Sequence, residues 1–154
     1  ERLKVTNMNA QFTKALLQSN GGFAALVLRV PVGLILAAHG AQKLFGWFGG
    51  YGLEGTGQWL ASIGLEPGYL MALLAGGAEF FGGLALVLGL LTRPAAVVAA
   101  FTMLVAIFAV HIGNGLFMAN NGYEYALTLF AATVALAIQG AGRFAVDNLL
   151  HKES

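Results

Sequence analysis

The chain has 154 residues, of which 58% are hydrophobic and only 10% charged, with a mean hydropathy of +0.75 and a net charge of +1. Soluble domains carry about 25% charged residues, so this composition is that of an integral membrane protein. The near-zero charge leaves no electrostatic basis for nucleic-acid binding, and the lack of cysteine excludes disulfides, thiol redox chemistry, iron–sulfur clusters and thiolate metal sites within the chain.

Residues 1–22 are mixed polar, carry Arg2, Lys4 and Lys14, and do not read as a cleavable signal peptide. They are expected to be a tail on the cytoplasmic side, with a short surface helix over Met8–Leu17 stopped by Asn20-Gly21-Gly22.

Four apolar runs follow, at about 23–45, 69–91, 95–112 and 123–138, each long enough or nearly so to cross a ~30 Å hydrocarbon core. The expected fold is therefore all-α and integral to the membrane, an antiparallel four-helix bundle over residues 23–142 with a C-terminal tail at 143–154. Basic residues outside the runs are confined to the N-terminal tail, Arg93, Arg143 and Lys152, which places both termini in the cytoplasm.

The first run carries Arg29, His39 and Lys43. At ~100° per residue they share an arc narrower than a quarter-turn, spread over ~21 Å of helix axis. Such a stripe cannot face lipid and must look into protein or a wet cavity. The outer loop, 46–68, holds Trp47, Phe48, Tyr51 and Trp59, an aromatic set suited to headgroup depth. Within it Thr56–Gly64 reads as a short interfacial helix, with Thr56 as N-cap and Gly64 as stop, serving as a lid or as a plain anchor.

The second run has small residues at Ala75, Ala78, Gly82, Ala85 and Gly89, a seam that admits a close neighbour, and the fourth has Thr128, Ala131 and Ala135. A weak internal repeat relates His39-Gly-Ala-Gln-Lys-Leu-Phe45 to His111-Ile-Gly-Asn-Gly-Leu-Phe117, each followed one helix later by an acid and an aromatic, Glu79-Phe80 and Glu124-Tyr125.

Six ionisable residues therefore lie at membrane depth: Arg29, His39, Lys43, Glu79, His111 and Glu124. Arg29 is the expected partner of Glu79, and Lys43 or a histidine that of Glu124. Such groups can serve only to fix which helix faces which. They can equally line an apolar-walled pocket with a few convergent polar groups, to which Tyr125 belongs, suited to a small amphipathic ligand such as a quinone head. Proton exchange would then fall to Glu79, His39 and Glu124. His39 and His111 lie at similar depth, as bis-histidine haem ligation requires, but the adjacent lysine and two glutamates make the site more polar than a haem pocket, and zinc on His39, His111 and Glu124, though geometrically possible, is no better favoured.

Arg29…His39-Gly-x-x-Lys43-Leu-Phe, then Glu79…Gly-Leu-Leu-Thr-Arg93, then Asn121-Gly-Tyr-Glu124-Tyr resembles the DoxX family over about residues 23–145. That resemblance implies a four-helix protein of the bacterial inner membrane. It also implies association with quinone-linked oxidoreductases, with Arg29, His39, Lys43, Glu79 and Glu124 as the family-like polar residues. A quinone-binding component of an oxidoreductase system is thus the leading expectation, its electrons supplied by a partner redox protein. The rivals are a non-enzymatic anchor or assembly subunit for a partner complex, and a small-molecule or proton carrier working as a homo-oligomer.

Overall fold

A computed structural model describes residues 2–20 and 22–153. It is all-helical, with α1 Arg2–Leu17, α2 Gly22–Phe45, α3 Gly52–Ser62, α4 Gly68–Leu88, α5 Thr92–Ala106, α6 Glu124–Gln139 and α7 Val146–Glu153. Helices α2 and α4, and α5 with its continuation to Asn114, are long and apolar enough to cross a membrane. The fourth apolar helix, α6, has 16 residues and so reaches ~24 Å, short of the hydrocarbon thickness.

Helices α2, α4, α5 and α6 form a ring in which each packs on the next and α6 returns to α2. Neighbours are antiparallel. The core between them is built from Ala25, Val32, Leu36, Leu86, Ala96, Ala99, Met103, Leu129 and Leu136. Large apolar side chains such as Val27, Leu74, Phe81, Phe101, Phe108 and Ile138 point outward instead, the pattern of a bundle solvated by lipid.

The closest crossing is α2 on α4. A Cβ at Gly33 would fall 2.6 Å from the Gly83 carbonyl, one at Gly83 would fall 2.5 Å from Ala37 N, and one at Gly40 would strike the Phe80 backbone. Small residues are what let two backbones meet so closely without a hydrophobic driving force. The seam facing α2 is thus Gly76 and Gly83, rather than the Ala75–Gly89 line expected from spacing. Ala75 and Ala78 line a cavity instead, and Gly82 leaves room on the α5 side, where an added Cβ would stand 3.7 Å from the Ala95 carbonyl. On α6 the expected line also faces away: Thr128 and Ala131 are exposed, while Ala126, Leu129, Thr133 and Leu136 are buried.

At the end carrying the termini, polar side chains close the loops. Arg29, 1% exposed, donates to the carbonyls of Ala141, Arg143 (3.3 Å) and Phe144 (2.8 Å). Asp147 accepts from the Leu91 and Thr92 amides at 2.6 and 3.0 Å, capping α5. Arg93 donates to the carbonyls of Gln18, Ala137 and Ile138, tying the α1–α2 link to the end of α6. The expected tails are therefore more ordered than their composition indicates: α1 covers Arg2–Leu17, beyond the Met8–Leu17 segment, and α7 occupies most of 143–154. Gly21 lies outside the described residues.

Candidate functional site

At the opposite end, the loop after α2 folds α3 against the first turns of α4. This helix starts at Gly52, four residues before the expected N-cap Thr56, so Thr56 is a buried interior residue and not a cap. Its end is as expected, with Gly64 in the left-handed region (φ 92°) and the Gly64 and Leu65 amides returning to the Ala61 and Leu60 carbonyls. Trp47, Phe48, Tyr51 and Trp59 are exposed, and Trp59 also borders a cavity together with the buried Leu60.

That cavity, about 540 Å³, runs between α3, α4 and the end of α5. Its walls are apolar: Met71, Leu74, Ala75 and Ala78 from α4, Val98, Phe101 and Val105 from α5. Four of these, Leu74, Val98, Phe101 and Val105, are also exposed on the outer surface of the bundle, so the space opens sideways. Lys43, Glu79, Thr102, His111 and Asn121 supply its polar groups.

Lys43 Nζ donates to Glu79 Oε2 at 2.7 Å, an ion pair in the bundle interior, with the two side chains 25% and 4% exposed. The antiparallel crossing creates it, because Gly40 rests on Gly76 and Phe80 and so sets Lys43 one turn further on beside Glu79. Arg29 is accordingly not the partner of Glu79. With Gly40 level with Gly76–Phe80, helix α4 begins roughly one and a half turns, ~7 Å, beyond the end of α2, which lifts Glu79 to within reach of the Lys43 side chain. The Arg29 guanidinium, left below, satisfies carbonyls that the loop after α6 would otherwise bury without donors.

His111 closes a five-residue π turn, Ile107–His111, that ends α5. Such turns recur at functional sites because they re-aim a side chain. Its Nδ1 lies 2.8 Å from the Asn121 carbonyl. A carbonyl only accepts, so Nδ1–H donates to it and Nε2 is left for another partner. Asn114 also donates to that carbonyl, at 3.1 Å. Asn121 itself is held in the left-handed region (φ 58°) by a turn in which the Asn121 and Gly122 amides bond Met118 and Phe117.

Behind the ion pair lies a second space of about 110 Å³ in the middle of the helix ring. His39, Lys43, Glu79, His111 and Tyr125 form its polar edge, and Leu36, Met103, Ala106, Ala126 and Leu129 the rest. His39 Nε2 and the Tyr125 hydroxyl are 3.2 Å apart, within hydrogen-bond reach. Of the seven site residues read from sequence, five thus meet around this space. Arg29 lies at the other end, and Glu124 makes no ion pair with Lys43 or a histidine among the described residues, its carbonyl accepting from Thr128 instead. Among the described residues no three histidine or carboxylate side chains gather to hold a metal ion. The volume that His39 and His111 share suits a few waters rather than a tetrapyrrole.

Sequence reasoning did not single out Leu60 or the α4–α5 wall, since nothing in a one-dimensional pattern separates a lipid-facing leucine from a pocket-facing one.

A model of the DoxX family matches residues 24–112. The chain belongs to the DoxX family. It is 36% identical over 127 residues to a Bacillus subtilis (strain 168) protein whose name reads "Putative oxidoreductase CatD", covering 82% of this chain and 87% of the relative. It is 36% identical over 134 residues to the Escherichia coli (strain K12) inner membrane protein YqjF, with 83% and 92% covered. The E. coli inner membrane protein YphA is 30% identical over 127 residues, with 79% and 86% covered. No solved structure matches the chain. This DoxX protein is accordingly a membrane protein, and its matched region includes Arg29, His39, Lys43, Glu79 and His111.

Proposed function

We propose that this DoxX protein is a quinone-binding component of a membrane oxidoreductase system in the bacterial inner membrane. The observation that carries the reading is the lateral apolar cavity of about 540 Å³ with an ion pair at its polar end. The volume lies within the ~300–1,000 Å³ of ordinary ligand pockets. Because Lys43 and Glu79 neutralise each other, the site offers one donor and one acceptor without net charge, which favours an uncharged head with carbonyl or hydroxyl oxygens. The side opening past Leu74, Val98 and Phe101 lets an apolar tail stay in lipid while the head reaches Lys43, Glu79 and His111. Trp59 above the cavity supplies a ring for stacking.

When bound, a quinone supplies two-electron, two-proton redox chemistry, and the electrons come from a partner redox protein. The chain's own residues bind and orient the head, exclude bulk water and hold protons at Glu79, His39 and His111. The name of the Bacillus subtilis relative is consistent with an oxidoreductase setting. The ring of four helices is read as four crossings, the short α6 being completed by the polar turns at either end. Arg93 and Arg143 lie at the end where both termini lie, and this basic bias supports a cytoplasmic side for the termini.

Titrating a short-tailed quinone into the protein in nanodiscs tests the assignment, because Trp59 borders the cavity and its fluorescence reports occupancy. Saturable quenching in the wild type, weakened about tenfold or more in Ala78→Phe, is the expected result. Absence of saturable quenching, with a stoichiometric protein partner co-purifying instead, would support an assembly subunit and overturn the quinone reading.

A further inference from the structure

The 110 Å³ space inside the helix ring is not needed to seat a ligand in the larger cavity, yet it collects most of the ionisable groups of the bundle interior. At roughly 30 Å³ per water it has room for three or four molecules, and a water needs two to four polar partners to stay. Those partners are present from every helix of the ring: His39 and Lys43 on α2, Glu79 on α4, His111 at the end of α5 and Tyr125 on α6.

Their hydrogen-bonding capacity is only part used. Lys43 spends one N–H on Glu79 Oε2, leaving two. The second oxygen of Glu79, on a side chain 4% exposed, meets no protein donor among the described residues. That oxygen is not among the fully buried unpartnered atoms, so it is open to a space, and water is the donor at hand. His111 keeps Nε2 free once Asn121 has taken Nδ1–H. The two spaces share Lys43, Glu79, Ala106 and His111, so whatever fills the small one touches the back of the ion pair that faces the large one. Asn121, exposed at the loop end, stands where His111 meets bulk water.

We propose that this inner space is a water chamber that relays protons from the loop-end surface, through His111 and His39–Tyr125, to the Lys43–Glu79 pair at the head of the ligand cavity. Each proton given up to the ligand by Glu79, or by a histidine or water beside it, is replaced from the loop-end water, so the protein ends with its charge unchanged. The destination rests on the quinone reading above, whereas the chamber rests on its own geometry.

Two measurements on the full chain in nanodiscs test it. With ¹⁵N-histidine labelling, the His39 ring should show exchange with water although it lies inside the bundle. Ala126→Met, which fills the chamber from a position outside the ligand cavity, should remove that exchange, with Leu129→Phe as a second filling variant. In stopped flow, dithionite supplies electrons to a bound short-tailed quinone while a pH dye follows proton uptake. Either filling variant should slow uptake at least tenfold while Trp59 quenching by the quinone is unchanged. A His39 ring without water exchange in the wild type, or filled variants with unaltered uptake, would overturn the chamber. Water exchange that vanishes on filling, in a protein that binds no quinone, would leave the chamber standing and remove only its proposed destination.

Discussion

The Lys43–Glu79 pair makes an asymmetric prediction that ordinary surface pairs do not. Glu79 is almost fully buried at 4% exposure, while Lys43 keeps 25% of its side chain accessible. Removing one member of a buried pair strands the other, typically at ~3–5 kcal/mol. Lys43→Met strands the deeply buried carboxylate, and partial access through the cavity places its cost near the lower end, about 3 kcal/mol. Glu79→Met strands an ammonium on a four-carbon stem that can swing toward the open cavity, so about 1–2 kcal/mol is expected. The double variant replaces the pair by apolar groups and should return to within about 1 kcal/mol of wild type, a coupling of ~3–5 kcal/mol. Reversible unfolding in mixed micelles at increasing dodecyl sulfate fraction, followed by tryptophan fluorescence, measures all four proteins. Equal single costs that add in the double variant, with coupling below ~0.5 kcal/mol, would refute the view that the two charges are held against each other in a low-dielectric interior.

Further expectations concern the parts that position this pair. Gly40→Val drives a side chain into the Phe80 backbone and should cost ~1–3 kcal/mol while prising α2 from α4, visible as lost thermal stability together with weaker quinone quenching. Asp147→Ala removes the acceptor of the Leu91 and Thr92 amides and should cost ~1–3 kcal/mol in the same unfolding assay, with Asp147→Asn losing less. Because the chain has no native cysteine, single Lys14→Cys and Ser62→Cys variants can be labelled in intact cells against zero background. An impermeant maleimide should modify Ser62→Cys and leave Lys14→Cys unlabelled until the cells are opened; the reverse would invert the topology.

What the sequence disclosed, and what it hid, follows from how far each feature depends on helix register. Composition and apolar run length are properties of single segments, so the helical class and the long helices at 22–45, 68–88 and 92–114 were legible with boundaries close to those observed. The inward turn of His39, Lys43, Glu79, His111 and Tyr125 was legible too, because the cost of facing lipid holds whatever the partners are. Which charge meets which was not. Counting depth from the ends of each apolar run set Glu79 beside Arg29, an inference that assumes helices begin and end at common levels. Here α3 occupies the space beside the first turns of α4, and the glycine crossing then fixes α4 about 7 Å higher than that assumption allows. The same shift explains Arg29: once Glu79 is out of reach, a buried guanidinium has only backbone carbonyls for partners, and the segment after Gly140 supplies three. Small-residue spacing failed for a related reason. Both faces of α4 carry glycine and alanine, and only the identity of the neighbour decides which face is a contact, Gly76 and Gly83, and which, Ala75 and Ala78, is the wall of a cavity. A pocket in a membrane bundle is thus written in the mismatch between helix levels, since a helix that starts late or is displaced by a loop helix leaves unfilled space beside it, and the residues lining that space become apparent only when the register is known.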